Sequence, residues 1–226
     1  MNIVPSVARD RALTLVELLV VIAGLAILVC YFVILGAILP EHNARARALR
    51  IQCVNNLKYT GQAFDLWAKD HGEKFPMEIS QTNGGTMEFT TGPNEWRHFQ
   101  VMSNELSTPR VLVCPADVRA EVHATNFARF NNSNISYFIN LDFSRPSPQV
   151  IWSGDRNLTN GTPIRDAVLE LTTNSPAAWT AEMHRREGNL LTFDGSVHRV
   201  DDVSLRNAIA NSGVSTNRVQ MPVLTP

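Results

Sequence analysis

From Leu13 to Leu39 the chain carries one charged side chain, Glu17, in a run otherwise dominated by Leu, Val, Ile and Ala. At about 1.5 Å per residue, a helix of that length is roughly 40 Å long, enough to cross a bilayer core of about 30 Å. A carboxylate in hydrocarbon costs several kcal/mol unless it snorkels or finds a partner. Glu17 therefore has two readings: a tolerated acid near the interface of a plain anchor, or an acid with an assigned partner. A secretory signal peptide fits less well, because its apolar core is about 7 to 15 residues and its small-residue cleavage site follows the core. Here the small residue, Ala12, precedes it.

The remainder reads as one anchored globular chain. Its 226 residues are 44 % hydrophobic and 18 % charged, with a net charge of −1. There is no basic excess of the kind a nucleic-acid surface needs, so nucleic acid is not expected as a partner. Beyond Pro40, apolar residues recur at helical spacing through Ile51, Val54, Leu57, Gly61, Phe64 and Ala68, and Asp70-His71-Gly72 marks the stop. This predicts a helix over about 13–70, with 13–39 in the membrane, 40–70 soluble, and a head over 71–226. Strands are expected at Arg110 to Cys114, Ile135 to Leu141 and Gln149 to Ser153, each rich in β-branched or aromatic residues. Asp194-Gly195, set between the short apolar runs 189–193 and 196–200, predicts a hairpin with a type I′ turn. Asp202 is the expected N-cap of a last helix reaching about Asn211 and stopped by Gly213. A further helix is expected over Pro163 to Leu171, and the tail after Ser215 reads as loop.

The segment Ala12-Leu13-Thr14-Leu15-Val16-Glu17-Leu18 resembles the N-terminal signature of type IV pilins and type II secretion pseudopilins. That family has a pilin-like α+β fold, with a long N-terminal helix packed on a head that carries a small antiparallel sheet. A membrane-embedded prepilin peptidase cuts just before the apolar run and methylates the new amine. Carried onto this chain, cleavage falls between Ala12 and Leu13, which makes 1–12 a leader and Glu17 the fifth mature residue. In the family that acid pairs with the N-terminal amine of a neighbouring subunit, which supplies the partner a buried carboxylate requires. The resemblance implies a structural subunit of a pseudopilus or pilus-like filament. Its partners would be the prepilin peptidase, other pilin-like subunits, an inner-membrane assembly platform and membrane lipid, and it would sit in a bacterial inner membrane by a single pass with its head outside the cytoplasm. The chain departs from the family in having Ala12 where Gly is usual and Leu13 where Phe or Met is usual; Ile34 replaces a common proline, and Pro40 is the first proline after the run. Arg9 and Arg11 precede the span while Arg45, Arg47 and Arg50 follow it, so charge bias does not fix orientation. The outward head rests on the resemblance.

Under that topology Cys53 and Cys114 lie where disulfides persist, although spacing alone does not bring them within bonding distance. Blocks such as Cys53-Val54-Asn55-Asn56-Leu57-Lys58 and Cys114-Pro115-Ala116-Asp117 are similar to blocks in a broad bacterial group of pilin-like proteins. Some of that group also carry His, nine residues, then Asp-Gly, as His184 and Asp194-Gly195 do here. Pseudopilins often hold structural calcium in a C-terminal loop, and Asp194, Asp201 and Asp202 are the residues that would supply oxygen ligands. A solvated acidic turn is the other reading of these three.

No catalytic role or cofactor is expected. His184, His198, Asp155, Asp194 and Glu182 are residue types that suit a metal or acid–base site. The chain nevertheless has no His-Glu-x-x-His, paired Cys-x-x-Cys or phosphate loop, and Ser153-Gly154-Asp155 lacks the Gly-x-Ser-x-Gly elbow. The alternatives to a filament subunit are an anchored extracytoplasmic binding protein that does not polymerise, and an anchored metal-dependent hydrolase built on His184.

Overall fold

A computed structural model of the chain describes residues 14–119, 124–142 and 147–224, with the side chains of 37–43 outside the description. The chain divides into two compact units, Met1–Ala46 and Arg47–Pro226. Helix α1, Leu15–Asp70, contributes to both, and Pro40 lies within its bounds. In the first unit, Leu15–Gly36 forms one 22-residue stretch long and apolar enough to cross a membrane, and none of it is buried within the protein. At about 1.5 Å per residue that stretch is roughly 33 Å long.

In the second unit, the rest of α1 buries a face made by Cys53, Asn56, Leu57, Thr60, Gly61, Phe64, Trp67 and Ala68. The face is rotated from the expected stripe, since Ile51 is exposed and Val54 only half-buried. Gly61 lets the helix sit close to the sheet: a Cβ there would lie 3.0 Å from Leu191 Cδ2. The stop is as expected, with Gly72 at φ 68° and the Glu73 amide donating to the Ala68 carbonyl at 2.8 Å.

Two short helices follow, α2 (Trp96–Gln100) and α3 (Ser103–Leu106). Among the described residues, eight strands come next: β1 (Tyr137–Asn140), β2 (Ile151–Asp155), β3 (Leu158–Thr159), β4 (Val168–Thr172), β5 (Ala178–Trp179), β6 (Gly188–Thr192), β7 (Val197–Val200) and, after helix α4 (Asp202–Asn211), β8 (Thr216–Gln220). Six of them form an antiparallel sheet in the order β4-β8-β1-β2-β6-β7, and β3 pairs with β5. The sheet is covered on both faces. Tyr137, Ile139, Trp152 and Leu191 join the α1 residues in one core; Phe138, Ile151, Leu190 and Val219 join Leu205 and Ile209 of α4 and Trp179 of β5 in the other. Alternate residues along each strand thus enter opposite cores. An α+β fold with an N-terminal apolar helix and a C-terminal antiparallel sheet follows from these elements.

Five local expectations are corrected. Arg110 to Cys114 is no strand: Pro109–Leu112 is a 3-10 turn, with Pro109 at its start and the Thr108 hydroxyl accepting from the Arg110 amide. Pro163 to Leu171 is not helical, because Leu169 and Leu171 point inward around exposed Glu170, a period of two, and belong to β4. The tail after Ser215 supplies β8, whose buried Asn217 and Gln220 make it look like loop in composition. The last helix is capped by Asp201, which accepts from the Ser204 amide at 2.8 Å, one residue earlier than expected. At the hairpin, Gly195 takes φ 80° and Asp194 keeps negative φ, so the turn is type I closed by a left-handed glycine instead of type I′.

Candidate functional site

Two places in the chain hold side chains whose positions call for a chemical account. The first is the start of α1. Thr14 precedes the helix, and its amide and hydroxyl both donate to Glu17 Oε2, at 2.9 and 3.0 Å. The Glu17 amide in turn approaches the Thr14 hydroxyl at 3.3 Å. This is a reciprocal capping box, the Thr-x-x-Glu pattern in which the third helical residue reaches back to satisfy an amide the helix leaves free. The pattern is readable in the sequence, and it gives Glu17 a partner within its own chain. Ala12 and Leu13 lie outside the described residues.

The second place is buried in the head. Cys53 of α1 and Cys114 form a disulfide, with Cα atoms 4.9 Å apart and both residues fully buried. The bond closes a separation of 61 residues, which in chain-entropy terms stabilises the fold by roughly 4 kcal/mol. His184 Nε2 lies 3.2 Å from Cys114 Sγ, 3.4 Å from Asp155 Oδ2 and 3.4 Å from Asn189 Nδ2. Asp155 ends β2 and is fully buried; its Oδ2 accepts from the Asn189 amide at 2.7 Å and from Asn189 Nδ2 at 2.9 Å, while Oδ1 has no partner. Burial pushes the Asp155 carboxyl up to about 7 against the pull of Asn189, and burial together with Arg50 pushes His184 down to about 4. The contact at neutral pH is therefore a neutral imidazole beside an acid, not an ion pair.

The loop that delivers His184 is unusual. His184, Arg185 and Arg186 take φ values of 48°, 56° and 65°, three left-handed residues in succession and none of them glycine. Each costs on the order of 1 kcal/mol or more. The loop is held by Asn157 Nδ2, which lies 3.0 to 3.2 Å from the carbonyls of Thr180, Met183 and Glu187. On the other side, Arg50 of α1 donates to the His184 carbonyl and pairs with Glu187 at 2.7 Å. Arg50, Asn157 and Asn189 carry no sequence motif, and the disulfide partner and loop geometry that give them meaning arise only in the fold. Comparison of the chain with known protein families, with curated proteins and with solved structures found no match.

The other residues singled out in the sequence are dispersed. His198 is exposed on β7, and Asp194 stays in its exposed turn, where Oδ1 accepts from the Thr192 hydroxyl and the Ser196 amide. Asp201 caps α4 and Asp202 accepts from the Trp179 amide of β5 at 2.8 Å, so each of the three aspartates named as candidate calcium ligands accepts from a backbone amide. Glu182 pairs with Arg156, which also grips buried Asp117. Ser153 is buried with its hydroxyl donating to the Phe138 carbonyl at 2.6 Å. Among the described residues, the one set of three potential metal ligands is Cys53, Cys114 and His184, whose donor atoms all lie within 4.8 Å of one another.

Proposed function

We propose that the chain is a prepilin-like subunit, anchored by its apolar helix and built into a filament through that helix after cleavage before Leu13. The observation that carries this reading is the fully exposed stretch Leu15–Gly36 with its single acid at the start. Such a surface needs a partner: lipid before assembly, and the helices of other subunits after it. Transfer between the two costs little, since both are apolar, and Glu17 paired with a neighbour's amine sets the register. In this reading the head is carried outside the cytoplasm by a single-pass inner-membrane subunit, and the processing enzyme, the assembly platform and neighbouring pilin-like chains are its partners. The protein acts by assembling.

The capping box favours a second reading, a plain anchor, because Thr14 already satisfies Glu17. Substitution separates the two. Gln serves in a capping box as Glu does, so Glu17→Gln keeps the cap and removes the charge, whereas Glu17→Ala removes both. On the filament reading, both variants insert in the membrane at wild-type levels and both lose filament recovery by at least about tenfold, a coupling of about 1.4 kcal/mol. Normal filaments from Glu17→Gln would show that the acid serves the helix alone.

A further inference from the structure

We propose that the head carries a metal site masked by its own disulfide: on reduction, Cys53, Cys114, His184 and Asp155 bind one zinc-class divalent cation. The proposal is independent of the filament reading. It rests on the convergence of donors. The sulfurs of Cys53 and Cys114 and Nε2 of His184 lie within 4.8 Å of one another, and Nε2 is 3.2 Å from Cys114 Sγ and 3.4 Å from Asp155 Oδ2. With metal–ligand bonds of about 2.0 to 2.3 Å, the edges of a tetrahedral site are roughly 3.3 to 3.8 Å, so the two separations from Nε2 are close to the length for neighbouring ligands, while the sulfurs, bonded to each other in the disulfide, must part on reduction to reach it. Asp155 Oδ1 is buried without a partner, and a buried carboxyl oxygen left unmatched is expensive. Asp155 lies outside the 4.8 Å group of the other three donors and meets it through His184, so a cation would match this oxygen once the sulfurs part.

The set is also chemically coherent. Two thiolates, an imidazole and a carboxylate suit zinc. Asn189 holds Asp155 through two donors, and Arg50 and Asn157 fix the loop that carries His184, the outer support that orients metal ligands. A disulfide and a metal cannot occupy the sulfurs together. A dithiol reductant delivers two electrons and two protons to the Cys53–Cys114 bond and is itself oxidised to a disulfide. The cation then displaces the two thiol protons to solvent as the thiolates bind it. Reoxidation by a disulfide donor reverses both steps and expels the cation.

The test uses the full chain in detergent, reduced without oxygen and freed of reductant. Titration with cobalt should give one equivalent per chain, with a thiolate-to-cobalt charge-transfer band and the intense d–d bands of a tetrahedral site; zinc should abolish both. The oxidised chain should show neither. His184→Gln should weaken cobalt binding by at least roughly tenfold, and Asp155→Asn by a similar factor. A measurement on the unsubstituted chain guards against misfolded variants: zinc should protect Cys53 and Cys114 of the reduced protein from alkylation, read by peptide mass. A reduced chain that takes up no cobalt, or cysteines that alkylate equally with and without zinc, would overturn the site. So would His184→Gln or Asp155→Asn proteins that bind like the wild type.

Discussion

His98 shows how burial turns one side chain into a pH-dependent term. Gln220 Nε2 donates to the carbonyls of Phe89 and Gly92, so its Oε1 faces His98 as an acceptor and His98 Nε2 must carry the ring proton. Nδ1 then accepts from the Thr86 hydroxyl at 2.6 Å. The ring is held neutral, and burial pushes its pKa from 6.5 to about 4. As pH falls below 6.5, the unfolded chain takes up the proton and the folded chain does not until about 4. The stability from this residue is thus complete above 6.5 and lost on the way down, by about 3 kcal/mol. Glu95 acts in the opposite sense: it is fully buried, and burial raises its carboxyl well above the usual range. The folded state keeps that proton when the unfolded state has released it, so Glu95 lowers stability as pH rises. Relative to the unsubstituted chain, Glu95→Gln should raise the denaturant midpoint at about pH 8 and leave it unchanged near pH 4, and His98→Gln should lose less of its midpoint as pH falls from 6.5 to 4. Variant-to-parent differences that do not change with pH would show that neither group is held as described.

Among the elements, the hairpin β6–β7, the α1 stop and the position of α4 were legible because each has a local signature: Asp-Gly, a terminal glycine, and an acid at a helix start. The edge strand β4 and the inserted strand β8 were not. β8 buries Asn217 and Gln220, which bond to Asn140 and His98 respectively, so its polar residues are core residues. Strands buried on both faces also lose the apolar–polar alternation that identifies a strand. Because β8 lies between β4 and β1, ending the chain at Ser215 should split the sheet, and the truncated protein should lose its near-ultraviolet circular dichroism; a native spectrum would place β8 outside the core. Gly188 tests how β5 docks on the sheet. A Cβ there would lie 2.5 Å from the Trp179 ring, so Gly188→Ala should destabilise the head by about 1 to 3 kcal/mol in urea titration. At the site, the sequence offered His184 and both cysteines but not their grouping, which depends on a left-handed loop that no motif announces.

For the whole molecule, the question is what covers the helix stretch Leu15–Gly36. Its acid is capped by Thr14 within the chain, so the exposed apolar surface, more than Glu17 itself, is what demands an environment. A filament subunit and a plain anchor share the membrane stage and part only at processing. Intact mass and N-terminal analysis of the membrane-extracted protein, made with and without a prepilin peptidase, separates them. A filament subunit begins at Leu13 with a methylated amine when the peptidase is present, and at Met1 when it is absent. A chain that still begins at Met1 beside an active peptidase would contradict the filament reading.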